Sequence, residues 1–130
     1  LQARKQEGHW RLRPSLNLGE VSQTCPQPDL PLMIARLAQI RQDTPALRYG
    51  SYQQLHVASQ QLAYMRQSDE QTVIVAVNAS DQPVSLEIPV PAQATQLFDV
   101  LNPGDTFRVD RGKARIDKVW ANWGRILVAA

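Results

Sequence analysis

The sequence predicts a mainly β fold, an antiparallel sandwich or barrel of about 7–8 strands preceded by one amphipathic α-helix. Three observations carry this. One segment near the N-terminal third has apolar residues at helical spacing. From Tyr49 onward apolar and polar residues alternate with period two. The alternating runs recur every ~8–12 residues between turn-forming clusters, the mark of antiparallel rather than parallel β structure.

Residues 1–28 show neither period. They hold Pro14, Pro26 and Pro28 and read as an irregular lead-in, with Leu12, Leu16 and Leu18 docking on other parts of the protein. The helix follows over Asp29–Gln42. Asp29 suits an N-cap, because its carboxylate can accept from free amides of the first turn, and Pro31 falls where a missing N–H costs nothing. Leu30, Met33, Ile34, Leu37 and Ile40 make one apolar face, and Pro45 forbids continuation. The expected organisation is the lead-in (1–28), a helical region (29–48) and a β domain (49–130).

The expected strands are Tyr52–Ala58, Leu62–Gln67, Thr72–Ala79, Val84–Ile88, Thr95–Leu101, Thr106–Asp110, Ala114–Lys118 and Gly124–Val128. The run Val73-Ile74-Val75-Ala76-Val77 is apolar on both faces, so its strand should be central. Pro83, Pro89 and Pro91 bracket Val84–Ile88, which suits an edge.

The 130 residues suffice for one domain with its own core. Hydrophobic residues make up 43% and charged residues 20%, which argues against disorder and coiled coil. No apolar run reaches the ~18–20 residues a membrane-spanning helix needs, so no membrane partner is expected. The net charge is only +2, and Asp110 and Asp117 interrupt the densest basic stretch, Arg108 to Lys118. That stretch reads as a solvated strand face, and no nucleic-acid partner is expected. The sole cysteine, Cys25, excludes an internal disulfide. The first ten residues lack the apolar core of a signal peptide. Both points lead to the expectation of a cytoplasmic protein. The start at Leu1 rather than at a methionine suggests a piece of something longer.

Catalytic signals are sparse. His9 and His56 lie far apart in the chain, and His56 should face solvent from mid-strand. Cys25 has no evident base beside it. Neither a metal site nor a cofactor is expected, since metal ligands must converge. Asn102-Pro103-Gly104-Asp105 reads as a tight turn. Glycoside hydrolysis requires two carboxylates ~5–10 Å apart, and the strand layout suggests no such pair. The aromatics leave two readings open. Trp120 and Trp123, with Trp10, Tyr49 and Tyr52 as further candidates, could display a sugar-stacking platform or could close the core.

The order of the motifs resembles a known family. LPLMIARLAQIRQDTPALRYG leads into a strand, LAYMRQSDEQTVIVAVNAS follows, then FDVLNPGD, and WGRILVA closes the chain. This looks like the end of an alpha-amylase-family glycoside hydrolase, its last barrel helix followed by the C-terminal β-sandwich. Pro45, Ala46, Leu47 and Gly50 match the family's helix end. Tyr64-Met65-Arg66 and the segment from Val75 to Ser80 match its following strands. Lys5-Gln6-Glu7-Gly8 and Trp10-Arg11-Leu12-Arg13-Pro14 look like a loop of the neopullulanase or cyclomaltodextrinase-like branch, where an acidic residue often stands near the position of His9.

The resemblance implies a Greek-key-type sandwich and a parent enzyme that hydrolyses alpha-glucosidic bonds in maltodextrin-like substrates. It implies that the chain is inactive alone, because no residue matches the family's catalytic Asp, Glu and second Asp. The expected partner is an upstream catalytic barrel, which the domain stabilises. Alpha-glucan is a further candidate partner, and the apolar helix face must fold back on the sheet or pair in a homodimer. Two other readings stand beside this one, a stand-alone glucan-binding module using the tryptophans and an unrelated β-sandwich interaction domain.

Overall fold

A computed structural model describes residues 29–130. Helix α1 spans Leu30–Asp43, and the Asp29 carbonyl accepts from the Met33 amide at 3.0 Å. Where the sequence predicts one helix there are two. Pro45 ends α1, but its fixed φ also suits the first turn of a new helix. Thr44 turns extended (φ −119°, ψ 90°), and α2 runs over Pro45–Tyr49.

A compact unit spans Leu37–Ala130. Its strands are β1 (Ser51–Val57), β2 (Gln61–Gln67), β3 (Thr72–Asn78), β4 (Val84–Pro89), β5 (Gln96–Asp99), β6 (Thr106–Asp110), β7 (Lys113–Val119) and β8 (Trp123–Ala129). All pairings are antiparallel, in the order β1-β2-β3-β8-β5-β6-β7-β4. Strand β6 pairs β5 through Thr106–Arg108 and β7 through Val109 and Asp110. It thereby carries the chain from one layer of the sandwich to the other. Strands β5, β6 and β7 run in succession and β4 returns beside β7, a Greek key. The expected edge strand is an edge, since among the described residues β4 pairs only with β7.

Between the layers lies a core that includes Ala63, Met65, Ile74, Ala76, Leu86, Ile88, Leu97, Ala114, Ile116 and Leu127. A second cluster forms outside the sheet, where Ala46 of α2 meets Val73, Val75, Leu101 and Ile126, with Ile40, Leu47 and Tyr64 against it. That explains the doubly apolar run in β3. Ile74 and Ala76 point between the layers, while Val73 and Val75 point out beneath α2.

Strand β5 stops at Asp99 rather than reaching Leu101. The Asp99 side chain accepts from the Leu101 and Asn102 amides, at 2.9 and 3.0 Å, and turns the chain there. Of the apolar face of α1, Ile40 packs on the second cluster and Met33 is half-buried, whereas Leu30, Ile34 and Leu37 are exposed. Leu32, outside the expected face, is 73% exposed. Within the compact unit, the C-terminal part of the helix packs back through Ile40.

Candidate functional site

Two inward-facing polar residues plug one end of the sandwich. Strand alternation puts Arg125 on the face of Leu127 and Asn78 on the face of Ala76. Arg125 is 3% exposed. Its Nη1 donates to Asp99 Oδ2 at 2.9 Å and to Asp105 Oδ2 at 2.8 Å, and its Nε donates to the Lys118 carbonyl at 2.6 Å. The guanidinium also lies over the rings of Trp120 (4.3 Å) and Phe107 (4.8 Å). A buried cation is tolerated only when paired and hydrogen-bonded, and this one is both.

Asn78 is 1% exposed. Its Nδ2 donates to the carbonyls of Gln82, Val119 and Trp120, at 2.8, 3.1 and 3.2 Å. Its Oδ1 accepts from the Ser80 amide, the Ser80 hydroxyl and Gln61 Nε2. Arg125 and Asn78 together therefore clasp the β7–β8 connection at Lys118, Val119 and Trp120.

The sequence-selected aromatics divide. Trp123 Nε1 donates to Asn102 Oδ1 at 2.7 Å, and its ring packs on the second cluster. The Trp120 ring, 36% exposed, covers Arg125. Trp10, His9 and Cys25 lie outside the described residues. His56 is half-buried rather than turned to solvent, because a bulge between Gln54 and His56 shifts its register.

The turn reading of Asn102-Pro103-Gly104-Asp105 holds, with Gly104 at φ 98°. What sequence reasoning missed is that Asn102 and Asp105 also close the plug. The signal was available, since Arg125 is a lone charge inside the apolar run of β8. Asp99 and Asp105 form a carboxylate pair on one nitrogen, yet hydrolysis gains nothing from it. Asp99 is wholly buried, and its oxygens also accept from the Leu101, Asn102 and Ile126 amides and from Asn102 Nδ2.

The basic strand face is solvated, and its ion pairs, Lys113 with Glu87 and Arg115 with Asp117, are exposed. Among the described residues no three His, Cys, Asp or Glu side chains converge as a metal site. No described helix is long and apolar enough to cross a membrane.

The outer surface offers a different feature. An open groove of about 510 Å³ is lined by Ile40, Asp43, Thr44, Gln71, Phe98, Val100 and Val128. Phe98 is 41% exposed beside it, and Leu37 is 40% exposed on α1.

The family profile described as maltogenic amylase, C-terminal domain, matches residues 52–116. The chain belongs to that family. Such a domain is the non-catalytic C-terminal part of alpha-amylase-family enzymes. No curated protein sequence matches the chain. Among solved structures, an Anoxybacillus alpha-amylase superposes with TM-score 0.66 at 21% identity over 75% of this chain. A Geobacillus thermoleovorans alpha-amylase complexed with acarbose gives 0.67 at 18% over 73%, and a cyclomaltodextrinase 0.61 at 21% over 71%. These likenesses show the fold. The chain spans 22%, 21% and 16% of their respective lengths.

In this maltogenic amylase C-terminal domain, the motifs that carry the family resemblance serve structure. Ala46 is fully buried, and its amide donates to Gln71 Oε1. A Cβ on Gly50 would stand 2.4 Å from the Ala46 carbonyl oxygen, so only glycine fits there. Arg66 donates to the Gly50 and Ser51 carbonyls and locks the passage from α2 into β1.

Proposed function

We propose that this domain is the C-terminal cap of an enzyme hydrolysing alpha-glucosidic bonds in maltodextrin-like substrates. Its role there is to cover and stabilise the catalytic barrel of the same protein. The observation that carries this is the apolar groove between the end of α1 and the outer face of β5 and β8. Burying apolar surface there stabilises by ~25 cal/mol per Å². The described carboxylates give no route to hydrolysis, so turnover is assigned to the barrel.

Capture of the native protein with an antibody against this chain tests the reading. The expected species is several times heavier than 14.6 kDa and hydrolyses maltodextrins, while the isolated chain does not. A native species of the chain's own mass overturns it. A second test uses Phe98→Asp. The melting temperature should fall further in the whole enzyme than in the isolated chain, where Phe98 is already 41% exposed; equal falls would mean that nothing covers the groove.

A further inference from the structure

Among the described residues Trp120 and Trp123 are engaged, whereas Tyr49 and Tyr52 are displayed. Tyr52 and Tyr64 form a diagonal cross-strand pair on the outer face of β1 and β2, since Gln54 stands opposite Tyr64 and Tyr52 opposite Arg66. Their ring centroids are 5.2 Å apart and the ring planes meet at 32°. Tyr64 is anchored against the second cluster, and Tyr52 leans on it while remaining 59% exposed. Tyr49, at the end of α2, is 77% exposed. The Arg66 clamp on the Gly50 and Ser51 carbonyls fixes the backbone between the two displayed tyrosines.

We infer that Tyr52, braced by Tyr64 and flanked by Tyr49, is a stacking platform for an α-linked glucan chain. Aromatic faces take the apolar C–H faces of sugars, and a ring already held in place loses little freedom on binding. Strand β1, Ser51–Val57, carries no Asp, Glu, Lys or Arg; of the cations nearby, Arg66, opposite Tyr52, is turned to the Gly50 and Ser51 carbonyls, and Arg48 lies over the Tyr49 ring at 4.9 Å. Exposed Gln54 on the same face supplies an amide for sugar hydroxyls. The 32° tilt creases the surface, and a creased surface suits a curved α-linked chain better than a flat β-linked ribbon. In strand order the platform lies on β1 and β2, across β3 from the groove on β8 and β5, so cap and glucan use different ground.

The choice of an α-glucan also draws on the proposed parent activity, and the experiment separates the two. Calorimetric titration of the 130-residue chain with maltoheptaose and with cellohexaose is compared for wild type, Tyr52→Ala, Tyr52→Phe and Trp120→Phe. Saturable maltoheptaose binding is expected, weakened about tenfold by Tyr52→Ala, or ~1.4 kcal/mol. Tyr52→Phe, which keeps the ring, should stay near wild type, as should Trp120→Phe. No binding of either sugar at millimolar concentration, or Tyr52→Ala binding like wild type, overturns the platform and leaves the parent reading intact. Tyr52-dependent binding of cellohexaose alone overturns the α-glucan assignment, while the parent reading stands or falls on the native mass and maltodextrin hydrolysis.

Discussion

Arg125 is the residue on which most side chains at the closed end depend. It satisfies Asp99, Asp105 and the Lys118 carbonyl, and it gives Trp120 and Phe107 a surface to pack on. Arg125→Met removes the cationic partner of a wholly buried carboxylate, so a loss of about 3–5 kcal/mol is expected in urea unfolding. Trp123→Phe keeps an aromatic ring but removes the indole N–H that donates to Asn102 Oδ1 and part of the packing on the second cluster, and about 1–2 kcal/mol should be lost. Asn78→Ala should cost more, because three carbonyls and the Ser80 groups lose a partner together. If Asn78→Ala proves as mild as Trp123→Phe, the clasp on the β7–β8 connection is less than the geometry implies.

At the scale of elements, the passage from α2 into β1 is the tightest joint. Gly50→Ala sets a methyl against the Ala46 and Gln67 backbone, and neither can yield without moving a helix or a strand. About 1–3 kcal/mol should be lost. Gly104→Ala meets nothing within 4 Å, and its cost comes from φ 98° alone, at ~1–2 kcal/mol. Comparing the two by thermal unfolding separates crowding from backbone strain. The short helix α2 has a further consequence. It turns a sheet that would otherwise have one wet face into one buried on both sides at Val73 and Val75.

For the whole molecule, the distribution of charge sets the response to salt. The pairs Lys113–Glu87 and Arg115–Asp117 are exposed and screened, whereas Arg125–Asp99 is buried and is not. Unfolding free energy should therefore change by less than ~1 kcal/mol between low and high salt. A larger fall would mean that the surface pairs carry the fold. The apolar side chains Leu32, Ile34 and Leu37 remain exposed on α1. In the proposed parent enzyme the groove lined by Phe98 is covered, so the isolated chain should bind a hydrophobic dye more strongly than the parent does.

Much of this was written in local pattern. Alternation and apolar runs set all eight strands to within a few residues, the prolines marked β4 as an edge, and the run in β3 marked a central strand, as its place between β2 and β8 shows. Those features depend on near neighbours in the chain, where alternation and turn chemistry act directly. The tertiary structure alone decided that α2 provides the outer cover, that Trp120 and Trp123 are occupied, and that Tyr52 rests on Tyr64. It alone joined Asp99 and Asp105 to Arg125, and Asn102 to Gly124 and Trp123, across 20 to 26 positions of chain. Such contacts depend on strand register and on which strands become neighbours, and the antiparallel pairing of β8 with both β3 and β5 is set by closure of the whole sandwich.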